Sequence, residues 1–104
     1  MIDTGGILFE LFRPSFNLEE FKASDYCITK SALQGSMMLG MDDEDIDATI
    51  ASMKPEHFYK SMTSYKDSKI CQDVYHVPYE DKILYVKFTK EAISEFTLLS
   101  FKEK

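Results

Sequence analysis

A chain of 104 residues with 44% hydrophobic and 13% aromatic content can bury one core and not two, so a single folded domain over residues 1–104 is expected. Its net charge of −6, taken as an average, speaks against a nucleic-acid partner. No apolar run approaches the roughly 20 residues that span a bilayer, and Met1 to Phe12 lack the basic start and the length of a secretory signal.

The first half has a helical period. Asn17 is placed to cap a short helix through Ala23, with Glu19 and Glu20 in the first turn where the helix dipole favours them. Thr29 can cap a second helix carrying Ala32, Leu33, Met37 and Met38, and Gly40 is placed to end it. Asp42 opens a third that reaches Ser52, with Ile46, Ile50 and Met53 on one apolar stripe. Met37, Met38, Met41 and Met53 read as core filler. Lys54-Pro55 stops that helix and permits a short one, with Pro55 first and Phe58-Tyr59 inside it.

Near residue 60 the period changes to two. A short strand around Met62 to Tyr65 is followed by three longer ones, Gln72 to Tyr79, Lys82 to Lys90 and Ser94 to Lys102. Glu80-Asp81 and Glu91 to Ser94 are the turns between them. Along the second long strand Leu84, Val86 and Phe88 share one face, and Ile83, Tyr85, Lys87 and Thr89 the other. Helices first and an antiparallel meander after give an α+β fold of two layers. The N-terminal helices cover one face of the C-terminal antiparallel sheet and leave the Tyr85/Lys87 face open.

Cys27 and Cys71 are too few for a disulfide framework and, with His57 and His76, give no metal-ligand spacing. Both read as small buried or half-buried side chains of a cytoplasmic protein without cofactor or metal. The acids between Asp42 and Asp47 lack the spacing of a calcium loop and read as a solvated helix start.

Charge is distributed unevenly. Residues 1–58 carry eleven acids against four bases, whereas residues 59–104 carry eight lysines against seven acids. In that second part aromatics and lysines interleave: Phe58-Tyr59-Lys60, Val74-Tyr75-His76, Leu84-Tyr85-Val86-Lys87 and Phe101-Lys102. Lysine answers phosphate charge, an aromatic face accepts an unstacked base, and an amide such as Gln72 can read a base edge. Tyr59, Tyr75, His76 and Lys87 are the candidates for RNA binding.

Cleaving RNA without a metal requires more. The ribose 2′-hydroxyl must lose a proton and attack phosphorus in line, the leaving 5′-oxygen must gain one, and the phosphorane needs fixed cations. Lysine and tyrosine titrate at about 10 and need a shifted environment to act as base, whereas His76 already titrates near neutrality. The bland reading stands beside this one. Lysines on an open strand face commonly protect a sheet from aggregation, and strand tyrosines commonly pack across strands. A catalytically inactive RNA-binding or protein-interaction module is therefore the alternative to an enzyme.

Phe58-Tyr59-Lys60-Ser61-Met62-Thr63, then Gln72-Asp73-Val74-Tyr75, then Ser100-Phe101-Lys102-Glu103-Lys104 closely resemble the MqsR family. These are the motility quorum-sensing regulator toxins of bacterial type II toxin–antitoxin systems. The resemblance extends more weakly through Thr29-Lys30-Ser31-Ala32-Leu33 and Leu39-Gly40, and covers about residues 25–104. It implies a RelE-like α+β fold and a ribosome-independent endoribonuclease that cuts mRNA at short GC-containing sites. It also implies neutralisation by an MqsA-like antitoxin, with no membrane contact and no DNA contact by the chain alone. The family's activity residues fall on Lys60, Gln72, Tyr85 and Lys102. Where the family has a basic segment after Val74-Tyr75, this chain has His76-Val77-Pro78, which should make phosphate binding there weaker or pH-dependent. The hairpin from Tyr79 to Leu84 is the expected strand-pairing edge for the antitoxin.

Overall fold

The three helices begin where their caps stand. The Asn17 side chain accepts from the Glu20 N–H at 3.0 Å and Thr29 Oγ1 from the Ala32 N–H at 3.2 Å. Asp42 and Asp45 accept from each other's backbone N–H, a capping box that satisfies two donors of the first turn. A computed structural model describes residues 7–64, 71–92 and 95–104. In chain order it has strand β1 (Ile7–Leu11), helix α1 (Leu18–Ala23), strand β2 (Cys27–Ile28), and helices α2 (Lys30–Met38) and α3 (Asp43–Ala51). A 3₁₀ turn (Pro55–His57) leads into β3 (Phe58–Ser64), β4 (Cys71–Tyr79), β5 (Lys82–Ala92) and β6 (Glu95–Glu103).

The strands form one sheet in the order β1-β3-β4-β5-β6-β2, antiparallel throughout except where β2 runs parallel to β6. The α+β class is as expected, with β3 to β6 as the antiparallel centre. The N-terminal half adds a strand at each edge that its sequence does not announce. Two residues, Cys27 and Ile28, are too few to show a period, and Cys27 is exposed where a buried or half-buried thiol was expected.

One face of the sheet is sealed by the helices. Leu84, Val86 and Phe88 are fully buried against a core that includes Phe21, Ile46, Ile50 and Met53. The Phe21 ring lies flat on Phe88 with centroids 3.8 Å apart, burying two large apolar faces at once. Met41 and Met53 are core side chains as expected, but Met37 and Met38 are 65% and 89% exposed. The reason is that α2 turns Ala32 and Ser36 inward, so Met37 and Met38 follow the outer face. Gly40 closes α2 with φ of +71°, a conformation that costs glycine little.

Gly35 lets α2 approach the backbone of β6. A Cβ at this position would stand 2.1 Å from the Phe101 carbonyl oxygen and 3.3 Å from Lys102 Cβ. The helix thus covers the stretch of β6 that the two-residue β2 leaves unpaired.

Two sequence expectations change here. Phe58 and Tyr59 belong to β3 rather than to a helix, because the 3₁₀ turn ends at His57. The Tyr79 to Leu84 hairpin is a tight connection of Glu80 and Asp81, with Glu80 at φ of +54°. It joins two interior strands and is not an edge of the sheet. Tyr65, at the end of the expected first strand, and residues 93–94 of the expected second turn lie outside the described residues.

Candidate active site

The face of the sheet turned away from the helices carries the site. Alternation sends Tyr85 and Lys87 of β5 to this face, opposite Leu84 and Val86. Register then fixes their neighbours. Tyr85 stands between His76 on β4 and Lys102 on β6, and Lys87 between Val74 and Ser100. On β3 a bulge between Phe58 and Lys60 inserts Tyr59 as an extra residue. A bulge breaks alternation locally, so Tyr59 and Lys60 both reach the open face although they are adjacent in sequence.

A continuous chain of contacts crosses the face. Lys60 Nζ sits 5.3 Å from the centroid of the Tyr59 ring. Tyr59 stacks on His76 at 4.1 Å and 21°. His76 lies 6.2 Å from the Tyr85 ring, and Lys102 Nζ is 5.3 Å from the Tyr85 centroid on its far side. Two ammonium groups therefore bracket three aromatic rings. Beneath them Val74 is fully buried and Met62 is 7% exposed, an apolar floor separate from the main core. The stems of Lys60 and Lys87 flank Val74 across the strands.

This dry floor shapes the proton affinities. Burial lowers the His76 pKa below its ordinary 6.5, and the nearby Lys104 and Lys60 charges lower it further. Burial and then the Lys102 charge lower Lys87. Tyr85 is raised by burial; Tyr59 adds to the rise and Lys60 opposes it. At neutral pH the face thus presents an uncharged imidazole, a protonated phenol and several ammonium groups.

Of the sequence-predicted activity residues, the structure brings Lys60, Tyr85 and Lys102 onto one face with Tyr59, His76 and Lys87. Gln72 shares the face but lies four residues from His76 along β4, about 13 Å away at the usual rise of a strand. It sits next to Lys60 diagonally, through the Met62–Gln72 and Lys60–Val74 pairs. Lys104 was not foreseen, although the alternation of Lys102, Glu103 and Lys104 places the two lysines on the same side.

Tyr75 must be withdrawn as a base platform. It is 0% exposed on the helix-covered face, edge-on to Phe58 at 5.5 Å, and cannot meet a ligand. Neighbours on a regular strand face opposite ways, so Tyr75 and His76 could not both have served. Burial, and then the Asp73 carboxylate, push its phenol up to about 12. Among the described residues its hydroxyl has no hydrogen-bond partner. Removing an unsatisfied buried hydroxyl relieves a desolvation cost, so Tyr75→Phe should stabilise the fold by about 1 kcal/mol. A raised pKa stabilises fully below the unfolded value, and that contribution is lost as pH rises through the folded one. The wild-type protein should therefore lose stability between pH of about 10 and 12, and Tyr75→Phe should lose less over that range, as read by denaturant unfolding.

Asp73, the neighbour of Gln72, does structural work on the helix side. Its carboxylate is 0% exposed and accepts from the Ser15 and Phe16 N–H groups at 3.0 Å each. This pins the segment before α1 and sets Phe16 against Phe88 and Phe96 at 6.1 and 6.0 Å. Elsewhere, a hollow of about 440 Å³ beside α3 is lined by Asp25, Asp43 and Asp47 together with Lys22 and Tyr26. Lys22 is committed to the Met53 carbonyl at 2.9 Å and to Glu19 at 3.6 Å. Tyr26 donates its hydroxyl to Asp47. That wall would repel phosphate, whereas the open sheet face attracts it. No group of three His, Cys, Asp or Glu side chains among the described residues is gathered to hold a metal ion, and no described helix is long and apolar enough to cross a membrane.

The family described as motility quorum-sensing regulator, toxin of MqsA, matches residues 13–103. The mRNA interferase toxin MqsR of Escherichia coli (strain K12) is 40% identical over 76 residues, which is 73% of this chain and 76% of that protein. With residues 13–103 matched by the family and 40% identity to a relative over most of both chains, this chain belongs to the MqsR toxin family.

Proposed function

We propose that the chain is the toxin of a type II toxin–antitoxin pair and an endoribonuclease that cleaves mRNA without a metal ion or the ribosome, at short GC-containing sites. What supports the reading is the unbroken run Lys60–Tyr59–His76–Tyr85–Lys102 across an open, cationic sheet face. A relative named an mRNA interferase toxin at 40% identity supports it independently.

On this reading each group has a task. The scissile phosphate lies over His76 and Tyr85, between the ammonium groups of Lys60 and Lys102, which balance the extra charge of the phosphorane. Lys87 holds an adjacent phosphate. Tyr59 offers its 48% exposed ring to a base. Gln72, one step along the face from Lys60, orients the flanking nucleotide and not the reacting one. Tyr85, protonated at neutral pH, donates a hydrogen bond to the reacting phosphate. An antitoxin of the MqsA type would silence the toxin in the cytoplasm by covering or distorting this face.

The test is cleavage of naked RNA by the purified chain in EDTA. Products should end in a 2′,3′-cyclic phosphate, and a substrate with 2′-deoxyribose at the cut position should survive. A strict metal requirement, or cleavage of the deoxy substrate, would refute the mechanism. Salt-sensitive binding with no cleavage would point to the inactive module.

A further inference from the structure

His76 occupies the centre of the open face, between the rings of Tyr59 and Tyr85. We infer that His76 is the general base that takes the 2′-hydroxyl proton, with Tyr85, its cross-strand partner, as the general acid for the 5′-oxygen. The inference rests on the RNA-cleaving reading above and names which groups move the protons within it.

The geometry carries it. His76 and Tyr85 are directly paired in the β4–β5 register with rings 6.2 Å apart. In-line attack places the entering 2′-oxygen and the leaving 5′-oxygen on opposite sides of one phosphorus. A base and an acid each about 3 Å from its own oxygen must then stand a short distance apart, on either side of the phosphate. The pair meets that demand. Tyr59 stacked on the other side of the imidazole holds the ring in place.

Protonation states agree. The groups facing His76 are Tyr59 and Lys60 from β3, Tyr85 from β5 and Lys104 at the chain end, while Lys102 lies beyond the Tyr85 ring. The two charges that act on it, Lys104 and Lys60, are cationic and favour the neutral ring. A lysine at its ordinary pKa would be free base in only about one molecule in 10³ at pH 7, so the imidazole is the better-populated base. Tyr85, shifted the other way, keeps its proton to give.

In the step itself, the 2′-O–H bond breaks and its proton passes to the free imidazole nitrogen. The 2′-oxygen bonds to phosphorus, the bond from phosphorus to the 5′-oxygen breaks, and the Tyr85 hydroxyl gives its proton to the departing 5′-oxygen. The imidazolium and phenolate left behind restore themselves through water, so no further reactant is consumed.

The test compares the full-length chain with His76→Gln and His76→Ala on one RNA oligonucleotide between pH 4.5 and 9. Wild-type kcat/KM, which reports the free protein, should fall on the acid side with an apparent pKa below 6.5. His76→Gln should lose that limb and drop kcat by about 10²–10³-fold. Its affinity for the uncleavable 2′-deoxy oligonucleotide should change less than about threefold, because phosphate contacts supply most of that binding. Added imidazole should restore part of the His76→Ala rate in proportion to its free-base form, which a structural role would not produce. Full activity with the acid limb intact in His76→Gln, or a loss confined to affinity, would overturn the assignment while leaving the nuclease standing. Failure of the unaltered chain to cut RNA would overturn the functional reading, and the assignment with it.

Discussion

Lys102→Ala should reduce kcat for RNA cleavage by about 10²–10³-fold, the usual cost of removing one fixed donor from a developing oxyanion. Its ammonium lies 5.3 Å from the Tyr85 centroid and beyond that ring from His76, at one end of the aromatic run. Stability should hardly change, because Lys102 is exposed and surface truncations stay within about 0.5 kcal/mol. Binding to an uncleavable oligonucleotide should weaken modestly, with a salt slope reduced by about one phosphate contact. Lys60→Ala should behave similarly from the opposite end. If both cations serve one phosphorane, as proposed, the double variant should lose less than the product of the two single losses. Single-turnover kinetics with a thermal melt on each variant checks all of this. Unchanged kcat in Lys102→Ala, with folding intact, would remove the residue from the chemistry.

Asp73→Ala should destabilise the fold by about 3 kcal/mol without touching the open face. Its fully buried carboxylate serves two backbone N–H donors, and losing it removes both charge-assisted bonds and leaves a polar hole in the core. Phe16 would also lose the anchor that holds its ring against Phe88 and Phe96. For a domain of this size the melting temperature should fall by about 10–20 °C. Asp73→Asn keeps one acceptor oxygen and should cost roughly half as much. Cleavage measured well below the melting point should survive in both. A stable Asp73→Ala protein would show that the segment before α1 does not depend on this anchor.

Much of the fold was legible in the residues. The caps Asn17, Thr29 and Asp42 mark the helix starts, and the Ile46, Ile50, Met53 stripe marks the buried side of α3. The alternation of Leu84, Val86 and Phe88 against Tyr85 and Lys87 separates the sealed face from the open one. Tyr75 was misplaced although its parity was visible, since it shares a face with Asp73 and Val77 rather than with His76. The bulge at Tyr59 was not visible at all, because an extra residue in a ladder is set by pairing and leaves no composition signal. For the same reason β2 escaped notice: its length is fixed by its neighbour β6 and by the start of α2, not by any pattern of its own. The motifs named Lys60, Gln72, Tyr85 and Lys102, but only register shows that Gln72 stands about 13 Å from the Tyr85 row.

The missing side chain at position 35 links the two sides of the molecule. Growth of even a methyl group there would wedge helix and strand apart at the stretch of β6 that carries Lys102. A survivor screen for harmless variants would then recover position 35 beside the proposed site residues, although glycine offers RNA no side chain. Its signature would be a lowered melting point together with lost cutting, a pairing that a true substrate contact would not give.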